Sequence, residues 1–175
     1  SDKLFRVIDN YLFHAPYVRA KELIDGGEIG DPLGLSIKTV SGFSPEGWDI
    51  PQSAHEWRSD PAKSGAASVL FDHGQHIWAI VTYLLGDVER VFAYVGRTEV
   101  EKHHELETGA VLDSPALVTW KYAGGETYGS CEAVHARELM VHSTHYPIDV
   151  RLEITGSRGL LAVNQGPPGK TFDRP

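Results

Sequence analysis

The sequence predicts an α+β fold: an open, mainly antiparallel sheet of about six to eight strands with helices on one face. Three observations carry that prediction. Helical periodicity is confined to the first half of the chain, in two stretches that each end at glycine. From Val88 onward the apolar residues alternate in short runs. Several of those runs are joined by short turns containing glycine, the connection that antiparallel neighbours use.

Taken in order, LFRVIDNYLF near the start is apolar and aromatic and reads as an entering strand or extended segment. Pro16 stands where a first helical residue belongs, Tyr17, Ala20 and Ile24 follow at helical spacing, and Asp25-Gly26-Gly27 is the stop. Gly30-Asp31-Pro32 is turn chemistry, and Leu35, Ile37, Thr39 and Phe43 then mark a strand. No period holds from Ser41 to Lys63, an excursion too aromatic for an idle linker and of a length that compact domains reserve for function.

Ser64 to Gly86 (SGAASVLFDHGQHIWAIVTYLLG) reads as the central helix, with Leu70, Ile77, Ile80, Val81 and Leu84 on one broad apolar stripe. Beyond it, strands are expected over Val88–Glu99, Ala116–Tyr122, Thr127–His135, Leu139–His145, Val150–Thr155 and Gly159–Val163, with His103–Asp113 as a polar hairpin loop. Phe92, Tyr94, Val118, Trp120, Tyr122 and Tyr128 make both sheet faces partly apolar, so the face without helices is a candidate subunit interface. The same aromatics would equally fill a single core.

The 175 residues are enough for one domain, 1–175, with a sizeable core. A net charge of -8 and the lack of a long basic run argue against a nucleic-acid partner. Cys131 is the one cysteine, which excludes an internal disulfide and makes a cytoplasmic location the expectation. No apolar run approaches the ~20 residues of a membrane span, and no signal peptide is read ahead of the domain.

On an ideal helix Asp72, His76, Ala79 and Tyr83 fall within an arc of roughly 60°. A carboxylate and an imidazole four residues apart then project side by side, an acid/base pair on a rigid support. An aspartate near a helix start equally caps backbone donors. Trp57 gives sugars an apolar platform and Arg58 a fork for carboxylate, phosphate or hydroxyl, although Arg58 could as well clasp Asp60. Among nine histidines, the pairs His73/His76, His103/His104 and His142/His145 match no established metal-ligand spacing, and no metal is expected. GPPGKT near the end has Asn164 where a phosphate loop needs glycine; no G-x-G-x-x-G or G-x-S-x-G occurs.

Two stretches, VIDNYLFHAPYVRAKELIDGGEIGDPLGLSIK and WRSDPAKSGAASVLFDHGQHIWAIVTYLLGDVERVFAYVGRTE, followed by DVRLEITGSRGLLAVN, resemble the C-terminal domain of the Gfo/Idh/MocA oxidoreductases. These are the glucose–fructose oxidoreductase and inositol dehydrogenase type of enzyme. The most specific piece of the likeness is D-x-G-x-H, present as Asp72-His73-Gly74-Gln75-His76.

The resemblance implies a preceding Rossmann domain that binds NAD or NADP in the full-length protein; residue 1 begins about where the second half of the family starts. The chain is accordingly expected to be a fragment or a stand-alone relative that binds no dinucleotide and does not turn over by itself. By the same resemblance His76 is the general base for a sugar or polyol hydroxyl, and Asp72 holds that hydroxyl or orients the imidazole. Lys38, Trp57 and Arg58 fall among the substrate contacts, and Asn10 and Tyr11 lie near the nicotinamide end of the cleft.

Ala79 stands where many members carry an aspartate. His73 replaces a commonly small or apolar residue, which puts it among the substrate-binding candidates and leaves a metal site around Asp72, His73 and His76 as a further alternative. The implied partners are a sugar-like small molecule and further copies of the chain through the open sheet face. A rival class is a stand-alone oligomerisation or ligand-binding module without catalysis.

Overall fold

The computed structural model describes residues 3–6, 9–47, 51, 53, 56–57, 60–64, 68–103, 106–142, 147–165 and 172–173. A 3-10 turn (Tyr11–Phe13) leads into helix α1 (Ala15–Asp25), with Pro16 in its first turn as expected. Strand β1 (Pro32–Phe43) follows. After one helical turn, α2 (Pro61–Ser64), come a π-helical turn (Ser68–His73) and helix α3 (Gly74–Leu85). Gly86, at φ 93°, closes α3 by returning its N–H to the Thr82 carbonyl.

The remaining strands are β2 (Val88–Val95), β3 (Thr98–His103), β4 (Leu106–Leu112), β5 (Ala116–Tyr122), β6 (Tyr128–Val141), β7 (Ile148–Gly156), β8 (Leu160–Gln165) and β9 (Phe172–Asp173). A seven-stranded sheet runs β2-β5-β6-β1-β7-β8, with β9 paired to β6. Only β1 and β6 run parallel among its pairings, and the long connection this needs is supplied by α2, the π-helical turn, α3 and strands β2 to β5.

One face of the sheet is the core face. Leu35 and Ile37 of β1 sit opposite Gly129 and Cys131 of β6 and opposite Ile154 and Leu152 of β7. Together with Val118, Trp120, Tyr122, Leu161 and Val163 they form a buried layer against Tyr17 and Ala20 of α1 and Ile77, Ile80, Val81 and Leu84 of α3. The Tyr122 hydroxyl donates to the Val81 carbonyl at 3.2 Å and pins α3 to β5. Gly129 leaves room for the Trp120 indole to lie across β6; any Cβ there would collide with its ring. The α+β class, the open mainly antiparallel sheet and the helices on one face are therefore present as the sequence predicts.

Four local expectations are corrected. Among the described residues of the apolar start there is no strand: residues 3–6 carry no regular structure, and Leu4 and Phe5 are 96% and 86% exposed. An apolar run needs a neighbouring ladder to become a strand, and the described pairings give residues 3–6 none. Val88–Glu99 is interrupted at Gly96, whose N–H bonds to the Pro115 carbonyl. The expected hairpin loop over His103–Asp113 instead contains β4, which pairs with β3 in a separate two-stranded sheet. Its polar residues gave no one-sided apolar pattern to read. Finally, Leu139 begins no new strand; β6 runs on through Val141, and residues 143–146 lie outside the described set.

Candidate functional site

Asp9 folds the N-terminal segment back on itself. Its Oδ1 accepts the Tyr11 N–H at 2.8 Å, the side-chain turn that aspartate and asparagine favour. The carbonyls of Asn10 and Tyr11 then take the N–H groups of Phe13 and His14 at 3.2 and 3.0 Å. This tight turn lays the segment against the start of α3. Tyr11 stacks on His76 with ring centroids 4.3 Å apart and planes 14° from parallel. His73 stands edge-on to both rings, at 6.3 Å from Tyr11 and 5.9 Å from His76.

The second oxygen of Asp9, Oδ2, lies 3.1 Å from Nδ1 of His76, and the two side chains are only 15% and 21% exposed. No described residue hydrogen-bonds the other ring nitrogen, Nε2. A half-buried imidazole tied at one nitrogen with the other unengaged can take a proton from a bound hydroxyl. Burial pushes the His73 pKa down, and the neighbouring His76 pushes it further, while Asp72 opposes both.

The platform beneath these groups is the π-helical turn. Asp113, which is 7% exposed, spends both oxygens on it: Oδ1 accepts from Val69 N–H and Oδ2 from Leu70 N–H, each at 2.7 Å. The Trp78 indole N–H donates to the Leu70 carbonyl at 2.9 Å and ties α3 back to the widened coil. Gly74 is buried beneath that indole; a Cβ would stand 3.0 Å from Trp78 Nε1. Next to Asp113, Ser114 accepts the His135 N–H at 2.7 Å through its Oγ, and the His135 ring reaches Ser41 Oγ at 3.0 Å. The segment that holds the helix start is thus moored to the end of β1 and the middle of β6.

The structure brings some of the expected site residues together and separates others. His76, His73 and Tyr11 form one cluster. Asp72 lies in the π-helical turn, where 100° per residue does not hold, and the carboxylate hydrogen-bonded to His76 is that of Asp9. The hydrogen bond to His76 thus joins residues 67 apart in sequence. Asn10 is exposed beside Tyr11 and contributes its backbone to the turn.

Lys38 projects from the sheet face opposite α3, where its Nζ pairs with Glu132 Oε1 at 3.0 Å. Trp57 is 39% exposed in the excursion, and Arg58 lies outside the described residues, as do His104, His145 and the GPPGKT segment. No three His, Cys, Asp or Glu side chains among the described residues converge to hold a metal ion. The sequence reading missed Asp9 and Asp113; the only local signal for Asp9 was the Asp-Asn pair ahead of a tight turn.

This architecture has known counterparts. Levoglucosan dehydrogenase, solved with NADH and levoglucosan, superposes with a TM-score of 0.67 over 98% of this chain and 47% of its own, at 22% identity. GenD2 from gentamicin A biosynthesis, solved with NAD, gives 0.60 over 89% and 38%, at 21% identity. A probable dehydrogenase from Thermotoga maritima gives 0.58 over 91% and 41%, at 22% identity. At these identities the likeness is one of fold, and the chain spans less than half the length of each. No curated protein matches it in sequence. The GFO/IDH/MocA C-terminal domain, however, matches residues 17–162, from within α1 through β1, the π-helical turn and α3 to the first residues of β8. With that match spanning most of its length, the chain belongs to the GFO/IDH/MocA C-terminal domain family.

Proposed function

We propose that the chain is the substrate-binding half of an NAD(P)-dependent oxidoreductase acting on a sugar or polyol hydroxyl, with His76 as the group that takes the hydroxyl proton. The observation that carries this reading is the half-buried His76 with Nδ1 engaged by Asp9 and Nε2 unengaged among the described residues. Family membership and the dehydrogenases of the same fold support the reaction class. The Tyr11 ring covers one face of the imidazole and keeps water from it. Asp72, half-buried in the preceding turn, is assigned to the substrate hydroxyl. Trp57, Arg58 and His73 are assigned to the substrate's remaining surface, and Asn10 with Tyr11 to the cofactor side of the cleft.

This chain's own residues do not fit the phosphates of NAD or NADP. The backbone donors at the head of its central helical segment that a phosphate would use at Val69 and Leu70 are filled by the Asp113 carboxylate, itself an anion. No glycine-rich fingerprint occurs in the sequence. The hydride acceptor is therefore assigned to a nucleotide-binding domain outside these residues, and the chain contributes the proton transfer and the substrate surface. By this reading the isolated chain binds no dinucleotide and does not turn over.

The second reading is an oligomerisation or ligand-binding module without catalysis. It is favoured by the uncovered sheet face, where Phe92, Tyr94 and Tyr128 are 58%, 67% and 62% exposed. The two readings are compatible in a full-length enzyme whose subunits meet through that face. They separate in one assay: the full-length protein is incubated with NAD or NADP and a panel of sugars and polyols, and reduced cofactor is measured. The oxidoreductase reading predicts turnover with at least one polyol and none from the 175-residue chain alone. No turnover across the panel would leave the module reading in its place.

A further inference from the structure

The Asp9 carboxylate binds two partners at once, and the identity of each fixes the other. Oδ1 accepts the Tyr11 backbone N–H, a group that can only donate, at 2.8 Å. Oδ2, 3.1 Å from His76 Nδ1, is an acceptor as well while the carboxylate is ionised. The imidazole nitrogen facing it must therefore be the one that carries the proton. The lone pair of a neutral ring is then left on Nε2, the nitrogen without a hydrogen bond among the described residues. We infer that Asp9 is a positioning residue that selects the tautomer of His76 in which Nε2 is the base. This inference rests on the reading of His76 as the proton acceptor. It extends that reading by assigning a residue 67 positions away the task of keeping the base in its working form.

The surroundings favour a specific role over simple packing. The groups that face His76 are Asp9 and Tyr11 from the N-terminal segment and His73 from the π-helical turn, with Asp72 beside His73. Of these, Asp9 alone is hydrogen-bonded to the ring. Stacking on Tyr11 fixes the plane of the imidazole but is indifferent to which nitrogen holds the proton.

Asp9→Asn separates the two duties of the side chain. Asparagine forms the same turn as readily, so its oxygen stays on the Tyr11 N–H and the fold of the segment is kept. Its amide nitrogen then faces His76 Nδ1 and donates to it, which drives the ring proton to Nε2 and blocks the base.

The test is the imidazole 15N spectrum of the chain at mildly alkaline pH, with the His76 signals assigned by their loss in His76→Gln. The expected result is a protonated Nδ1 and a bare Nε2 in the native chain, with the two exchanged in Asp9→Asn. A bare Nδ1, or a doubly protonated ring, in the native chain overturns the inference without any variant. So does an Asp9→Asn ring that keeps its proton on Nδ1. In the full-length enzyme, Asp9→Asn is expected to lower kcat by ~10²-fold or more with KM little changed. An exchanged tautomer with unchanged kcat would leave the Asp9 assignment standing and remove His76 from the chemistry.

Discussion

His73 and Cys131 show how burial sets the chemistry of single side chains. Burial, followed by the neighbouring His76, holds the His73 imidazole below its ordinary range. Below the ordinary imidazole value of ~6.5 the unfolded chain therefore binds a proton that the folded chain refuses. The stability tied to this group is complete above that value and declines as the pH falls toward the lowered folded value. Thermal unfolding from about pH 7.5 to 5.5 should show a falling Tm, and His73→Gln should flatten the slope. An equal slope in both proteins would contradict the account.

The Cys131 thiol is pushed up to about 12, by burial first and by the charge of Glu132 second. A maleimide should label it only in denaturant, and rapid labelling of the native chain would contradict its place in the core. At this scale the sequence was partly legible. His76 was marked by its four-residue spacing from Asp72 and by resemblance, and Tyr11 by resemblance alone. The carboxylate that holds His76 was not, because spacing arguments reach four residues along a helix and Asp9 arrives from 67 away.

At the scale of elements, the π-helical turn depends on a carboxylate from the far side of the β3–β4 arm. Asp113→Ala would strand the Val69 and Leu70 N–H groups in a partly buried setting. It should cost about 1–3 kcal/mol by denaturant unfolding, with Asp113→Asn costing less. A loss within experimental error would show that the turn holds itself. Helix α1, strand β1 and the stop of α3 at Gly86 were legible because proline, glycine and a one-sided apolar stripe are local signals. The widened turn was not legible, since the groups that hydrogen-bond it are an indole eight residues ahead and an acid over forty residues on. The β3–β4 hairpin was hidden for another reason: the stretch His103–Asp113 mixes charged residues and glycine among its apolar ones, so no alternating pattern marks it in the sequence.

At the scale of the molecule, helices α1 and α3 both pack on one face of the sheet. Its other face carries a row from Tyr94 through Leu117, Glu132, Lys38 and Arg151 to Asn164, fixed by the register of six adjacent strands. The proposed association through this face predicts a dimer or larger species by light scattering, and Phe92→Lys with Tyr94→Lys should shift it toward monomer. A monomer at high micromolar concentration would contradict that association.

The class of fold was legible from the segregation of helical and alternating patterns. The order of strands was not, because β1 enters between β6 and β7, strands made far later in the chain.

The central claim concerns one proton, and the most direct measurement is the single-turnover rate of alcohol oxidation by the full-length protein with His76→Ala. The account predicts a rate lower by ~10²–10⁴-fold with substrate affinity nearly kept. A rate equal to that of the native enzyme would contradict it.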